Sequence, residues 1–291
     1  TFSCCLKACC MISTSNMGEA LHDELNRKGL VESDLVVGNT LINMYTNSGF
    51  LGSAQEVFDQ LPACDVITWN APISGYSEHG HGEEALRYFE QMRLKGHCAN
   101  TITYTCSLRA CGNIGASNKG QEIHGEIVKK GMLERETIGN NLIDMYAKCG
   151  LLGSAEKIFD SLSVQDVASW NSLVAGYSQL GQTEKVIVFF KRMVSDGVNP
   201  DHITFLILLN ACSRTGLFNM SQTYFEAMNE HYGIIPSLKH HTCVVDLLGR
   251  VGQLEMAIGM IKKIPFYPNL AVWHMVLDAC RNGGNLELGK Q

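Results

Sequence analysis

No apolar run in the 291 residues reaches the roughly 18 needed to cross a bilayer. The longest candidate, Ile203 to Leu209, is broken by Asn210 and lies inside a repeat, so no membrane partner is expected. Basic charge is also scarce: 23 Lys and Arg stand against 29 Asp and Glu, a formal net charge of −6. Phosphate neutralisation supplies most non-specific nucleic-acid affinity, so this balance argues against a phosphate-gripping surface and leaves base recognition open. The 12 cysteines include no Cys-x-x-Cys pair. Cys4-Cys5 and Cys9-Cys10 are doublets, and Cys111, Cys212 and Cys280 recur in Ala-Cys contexts at helix-like positions. That spacing suits neither disulfides nor metal, and points to reduced thiols buried as small hydrophobes in a reducing compartment.

P-loop, G-x-G-x-x-G and nucleophile-elbow motifs are missing too, and no catalytic residue or cofactor is expected. His81-Gly82-Glu83 matches half of a zinc-deaminase motif, but no Pro-Cys-x-x-Cys follows, so it reads as a turn and a first-turn Glu. His240-His241 has no partner at metal spacing and is expected on a helix surface. There is no initiator Met, and Thr1 enters in mid-pattern, so the chain reads as a fragment with any targeting segment upstream.

What is present is repetition. The stretch 35–70 returns as 136–171: Asn39 and Asn140, Tyr45 and Tyr146, Phe58 and Phe159, Asp65 and Asp166, and Trp69-Asn70 and Trp170-Asn171 are each 101 residues apart. Trp69, Ile73 and Tyr76 give one apolar helical face. Ala85, Leu86, Phe89 and Met92 give a second after the His79–Gly82 break, with Glu83 and Glu84 in its first turn, where the helix dipole favours them. The unit is a helix–turn–helix hairpin that cannot bury its stripes alone, so the hairpins must stack. The chain divides into units 1–34, 35–65, 66–100, 101–135, 136–166, 167–201, 202–237 and 238–269, with a last hairpin cut off in 270–291. Turns are expected at Asn47–Gly49, Cys149-Gly150, Gly181 and Gly252. Pro72 is a misfit that could shift its helix start. With 45% apolar and 18% charged residues, disorder is excluded; no linker, low-complexity run or charge block interrupts one continuous all-α solenoid.

The GNxLIxMYxxxG, SWNxLxxGYxxxG and TFxxxLxAC signatures, in hairpins of 35, 31 and 35 residues, resemble the pentatricopeptide repeat proteins of land-plant organelles. More narrowly, they resemble the subclass alternating long, short and standard repeats. The segment 271–290 (AVWHMVLDACRNGGNLELGK) is similar to the start of its E-type C-terminal extension. Constant-length 34-residue tetratricopeptide repeats fit the alternation less well. The resemblance implies a right-handed superhelical α-solenoid that binds single-stranded RNA, one base per repeat. It implies a mitochondrial or chloroplast specificity factor for cytidine-to-uridine editing. Editing-complex proteins or a deaminase would act in trans or follow Gln291. RNA splicing or stability, or a protein-interaction scaffold, are the alternatives.

In this family two side chains read each base: the fifth of the first helix and the last of the repeat. Carried over, Asn39 with Asp65, Asn140 with Asp166 and Asn171 with Asp201 imply uridine. Asn70 with Asn100 implies a pyrimidine, cytidine above uridine, and Thr242 with Asn269 adenosine. Ser3 with Asp34 would suggest guanosine, whereas Thr105 with Arg135 and Leu206 with Ser237 depart from the pattern. Val36, Ile67, Thr137 and Ala168 would sandwich bases. Asn at a helix start and Asp before one also serve as caps. The recurrence of the pairing in register favours reading. Trp69, Trp170 and Trp273 share one hairpin position and are expected to pack rather than stack on bases.

Overall fold

A computed structural model describes residues 15–133 and 136–262. These are helical, with no strand among them. In chain order the helices are α1 Ser15–Arg27, α2 Leu30–Ser33, α3 Leu35–Asn47, α4 Leu51–Gln60, α5 Val66–Glu78, α6 Gly82–Leu94, α7 Thr101–Ile114, α8 Ser117–Lys129, α9 Glu136–Lys148, α10 Leu152–Ser161, α11 Val167–Gln179, α12 Thr183–Ser195, α13 His202–Thr215, α14 Phe218–Glu230, α15 Leu238–Arg250 and α16 Leu254–Lys262. The chain forms two compact units, Thr1–Ile158 and Phe159–Gln291. In the first, α3, α5, α7 and α9 pack in sequence, each helix on the next; in the second, α11, α13 and α15 do the same.

The two ends of each hairpin are made differently. First helices start on a side-chain cap: the carboxylate of Asp65 accepts from Thr68 N–H at 2.8 Å, and that of Asp201 from Thr204 N–H at 2.9 Å. Such caps each contribute about 1 kcal/mol. Second helices α4, α6, α8, α12 and α14 have no side-chain cap bond. They are entered through a left-handed glycine, such as Gly80 at φ 82°. The next N–H then reaches back across six residues, as His81 does to the Tyr76 carbonyl at 2.9 Å. This closes the preceding helix with a Schellman-type turn that only glycine adopts without strain.

The hairpin interiors are aromatic. Trp69 is fully buried, edge-on to Phe58 at 4.9 Å, while Tyr76 and Tyr88 stack at 5.5 Å. Within the second unit Trp170 meets Phe159 at 4.6 Å, and Tyr177 stacks on Phe189 at 5.2 Å. Both tryptophans are therefore core residues; Trp273 lies outside the described residues. Cys106, Cys111, Cys212 and Cys243 are free buried thiols, and burial pushes Cys111 up to about 12 and Cys212 and Cys243 up to about 11.

Two expectations are corrected. Pro72 does not shift its helix: α5 starts at Val66 on the Asp65 capping box and carries the proline inside, buried. Burial of its ring in the hairpin offsets the bond withheld from the Thr68 carbonyl. His240 and His241 are not on a helix surface but 1% and 6% exposed. His240 Nε2 lies 2.7 Å from the His202 carbonyl and Nδ1 accepts from Ser237 N–H at 3.1 Å, so both ring nitrogens have partners indoors.

Candidate nucleic-acid interface

The first helices leave their second residue in solvent, and α3, α5 and α11 tuck their fifth beside the cap of the next first helix. Val36 and Ile67 are 64% and 61% exposed, large apolar side chains that folding leaves uncovered. Thr137 and Ala168 are exposed as well. The same register holds Ile102 and Ile203, at 57% and 45%, in the two units whose pairs depart from the pattern and for which no sandwiching residue was expected. Their second position in each unit was the available signal.

The fifth residues sit deeper. Asn39, Asn70 and Asn171 are only 7–8% exposed. Asn70 Nδ2 donates to Asn100 Oδ1 at 3.2 Å, and Asn171 Nδ2 donates to Asp201 Oδ1 at 3.0 Å. Asn39 hydrogen-bonds the Asp65 carboxylate. So the structure brings three expected pairs together, and in each the second member is also the N-cap of the following helix. Capping and pairing are one arrangement, not rivals: one oxygen, the carboxylate Oδ1 of Asp201 or the amide Oδ1 of Asn100, serves both the cap and the asparagine. Burial tends to raise the Asp65 and Asp201 carboxyls. The bonds donated by Thr68 and Thr204, and by Asn39 and Asn171, outweigh it and hold both below the ordinary carboxylate range.

Backbone donors fix the polarity of what is left outside. Thr103 N–H, which can only donate, reaches Asn100 Oδ1 at 3.0 Å. The oxygen of Asn100 therefore faces inward and its amide nitrogen is turned to the exposed side. Thr204 N–H holds Asp201 Oδ1 in the same way at 2.9 Å, leaving a carboxylate oxygen outermost. Identical geometry thus presents donors at Asn100 and an acceptor at Asp201.

Asn140 is half-buried, and Asp166 caps α11 through Ser169 N–H at 2.8 Å. Thr242 Oγ1 donates to its own helix, at the Leu238 carbonyl, 2.8 Å away. Leu206 packs on the core of the second unit and Ser237 is engaged by His240, so that pair offers no polar reading edge. Asp34 caps α3 through Val36 N–H at 2.9 Å, and Thr105 is half-buried. Ser3, Arg135, Asn269 and the segment 270–291 lie outside the described residues.

Of the cations on the first helices, three are tied to carboxylates and Arg214 donates to the Ser178 carbonyl at 3.1 Å. Arg109 meets Glu78 at 3.2 Å, Lys148 meets Asp144 at 2.8 Å and Arg250 meets Asp246 at 2.9 Å. His81 and Glu83 lie at the start of α6, and no metal-holding cluster occurs among the described residues. Likewise, no described helix is long and apolar enough to cross a membrane.

Comparison with known proteins matches two family models. The PPR repeat family covers residues 64–113 and 165–214, and the PPR repeat covers 39–66, 140–166 and 203–232; together they account for more than half of the chain. A pentatricopeptide repeat-containing protein of Arabidopsis thaliana is 42% identical over 91% of this chain and 32% of its own length. Another from the same plant, named chloroplastic, is 40% identical over 100% of this chain and 33% of its own length. The chain thus spans about a third of these relatives. Among solved structures, the pentatricopeptide repeat protein PPR10 in complex with an 18-nt psaJ RNA element superimposes with a TM-score of 0.72 at 18% identity, over 94% of this chain and 42% of that one. At that identity the likeness establishes a shared all-helical fold.

Proposed function

The chain belongs to the pentatricopeptide repeat family, and from that premise we propose that it is a sequence-specific single-stranded RNA-binding protein reading about one base per repeat along its first helices. One observation carries the reading. Asn70 bonded to Asn100 and Asn171 bonded to Asp201 recur at the same register, each with an exposed small or apolar residue, Ile67 or Ala168, three positions earlier.

The chemistry follows from polarity. At unit 167–201 the Asn171 amide donates to a pyrimidine carbonyl, and the Asp201 carboxylate accepts the N3–H that uracil carries and cytosine lacks. At unit 66–100 the outward Asn100 amide donates to the N3 lone pair of cytosine. Side chains at the second position cover the base faces and exclude water, which strengthens the polar contacts at the edge. Asn39 with Asp65, Asn140 with Asp166 and Thr242 with Asn269 extend the register.

Within the subclass of alternating repeats, with the start of an E-type extension at 270–291, this chain acts as an organellar specificity factor for cytidine-to-uridine editing. Binding of the bases it reads holds one cytidine at a deaminase supplied in trans or farther along the chain, and catalysis gains from positioning alone. Fluorescence anisotropy with an oligonucleotide carrying U-Y-N-U-U, against one with the last two uridines replaced by adenosines, tests the reading. At least about tenfold tighter binding of the first is expected, the scale of one or two net hydrogen bonds. Equal affinity would leave a protein scaffold as the better description.

A further inference from the structure

Two expected reading pairs are closed into rings by a third residue with no role so far. Thr103 Oγ1 lies 2.6 Å from Asn70 Oδ1, and Thr204 Oγ1 lies 2.7 Å from Asn171 Oδ1. Each hydroxyl accepts the cap's backbone N–H, from Asn100 at 3.2 Å and from Asp201 at 3.1 Å. It also stands 3.0 or 2.9 Å from the cap's side-chain oxygen. A hydroxyl has one proton, and the shortest of these contacts is to the asparagine, so the proton goes there. The ring is then continuous: cap N–H to threonine oxygen, threonine O–H to asparagine oxygen, asparagine N–H to cap oxygen. Both threonines are fully buried.

We propose that Thr103 and Thr204 are positioning residues for base discrimination, fixing the plane of the Asn70 and Asn171 amides toward the bound base. This rests on the RNA-reading function proposed above. The second torsion of asparagine is broad, so one bond from Nδ2 to the cap leaves the amide free to swing. A second bond at Oδ1 pins both ends of the amide and holds the remaining N–H along one direction. The short units supply a contrast within the same chain. Thr68 Oγ1 turns to Asp65 Oδ1 at 2.9 Å, and Asn39 Oδ1 is left buried with no hydrogen-bond partner. Ser169 Oγ donates to the Asp166 carbonyl at 2.8 Å. Among the described residues the ring closes at units 66–100 and 167–201, so these are the strict readers, and unit 35–65 reads with a looser amide.

The test uses the whole chain and compares affinity for RNAs with uridine or cytidine opposite unit 167–201. Thr204→Val keeps the shape and removes the hydroxyl; the uridine-to-cytidine ratio is expected to fall roughly fivefold toward unity, the scale of one net hydrogen bond. Thr204→Ser restores the ratio. Thr68→Val, whose hydroxyl serves the cap Asp65 and not Asn39, lowers the ratio opposite unit 35–65 by less than Thr204→Val lowers its own. Should Thr204→Val melt early, Thr103→Val reads the same quantity opposite unit 66–100. A wild-type ratio retained in folded Thr204→Val and Thr103→Val overturns the positioning role while leaving RNA reading intact. A wild-type protein with no base preference at either unit overturns the reading function and this proposal with it.

Discussion

The Asn171 amide donates to the Asp201 carboxylate at 3.0 Å across 30 residues of chain, and the same oxygen caps the next helix. The helix cap and the proposed reading pair therefore share one atom. Replacing Asp201 by Asn keeps a cap of similar strength but turns the outermost acceptor into a donor. Asp201→Asn should move preference opposite this unit from uridine toward cytidine by about tenfold in the affinity ratio, since a mismatched polar edge costs about 1–3 kcal/mol. Melting temperature should change little. An unaltered ratio in competition binding would remove Asp201 from the reading edge.

Gly75 on α5 lies against Thr46 on α3. A Cβ there would stand 2.4 Å from Thr46 Cβ, and Thr46 is β-branched and buried, so it cannot step aside. Gly75→Ala is expected to destabilise the first unit by about 1–3 kcal/mol. Gly52→Ala, in α4 with nothing within 4 Å of its added methyl, should be neutral or stabilising by up to about 1 kcal/mol. Thermal denaturation of the pair checks this; equal melting temperatures would mean the helices separate without cost.

His240 is held neutral by burial, chiefly desolvation, which lowers its pKa despite the bond to the His202 carbonyl. Its Nδ1 accepts from Ser237 N–H, so a proton there would meet a donor. Burial lowers His22 and His124 as well, each beside a tyrosine hydroxyl at 2.9 Å. The folded pKa lies below the unfolded value near 6.5. Unfolding therefore takes up protons, and stability falls as pH drops below about 6.5, levelling off under the folded pKa. His240→Gln should flatten part of that slope in denaturant titrations between pH 5 and 7.5; an unchanged slope would place the proton uptake elsewhere.

Because Arg109, Lys148 and Arg250 already meet carboxylates, few are free to replace counterions on RNA. The slope of log affinity against log salt should be shallower than about −2, where a ribose-phosphate grip of eight contacts would approach about −5 to −6. Anisotropy titrations from about 50 to 300 mM salt measure it. A steep slope would show that phosphates, not bases, carry the affinity.

Much of the hairpin architecture was legible in the chain. Trp69, Ile73 and Tyr76 announced a buried helical face, and the glycines at 49, 150, 181 and 252 announced turns, all with positive φ. Asp65, Asn100, Asp166 and Asp201 were visible as candidate caps and as candidate readers. The sequence could not say that at Asn100 and Asp201 one oxygen both caps a helix and holds an asparagine. His240 read as surface because a His pair on a helix shows only its own neighbours, such as the cap Ser237; its other partner, His202, becomes adjacent when α15 packs on α13.

By itself, then, the sequence determined the all-helical class, the family and the register of the polar positions. These depend on periodicity within a few turns and on side chains reaching backbone three residues away. Tertiary structure alone decided which end of each asparagine amide faces inward and which hydroxyl holds it. Thr204 and Asn171 are 33 residues apart, and their bond exists because neighbouring first helices lie at one separation and rotation. Thr68 and Asn39 have the same residue types at the close of a shorter unit, and there the hydroxyl turns to Asp65 instead.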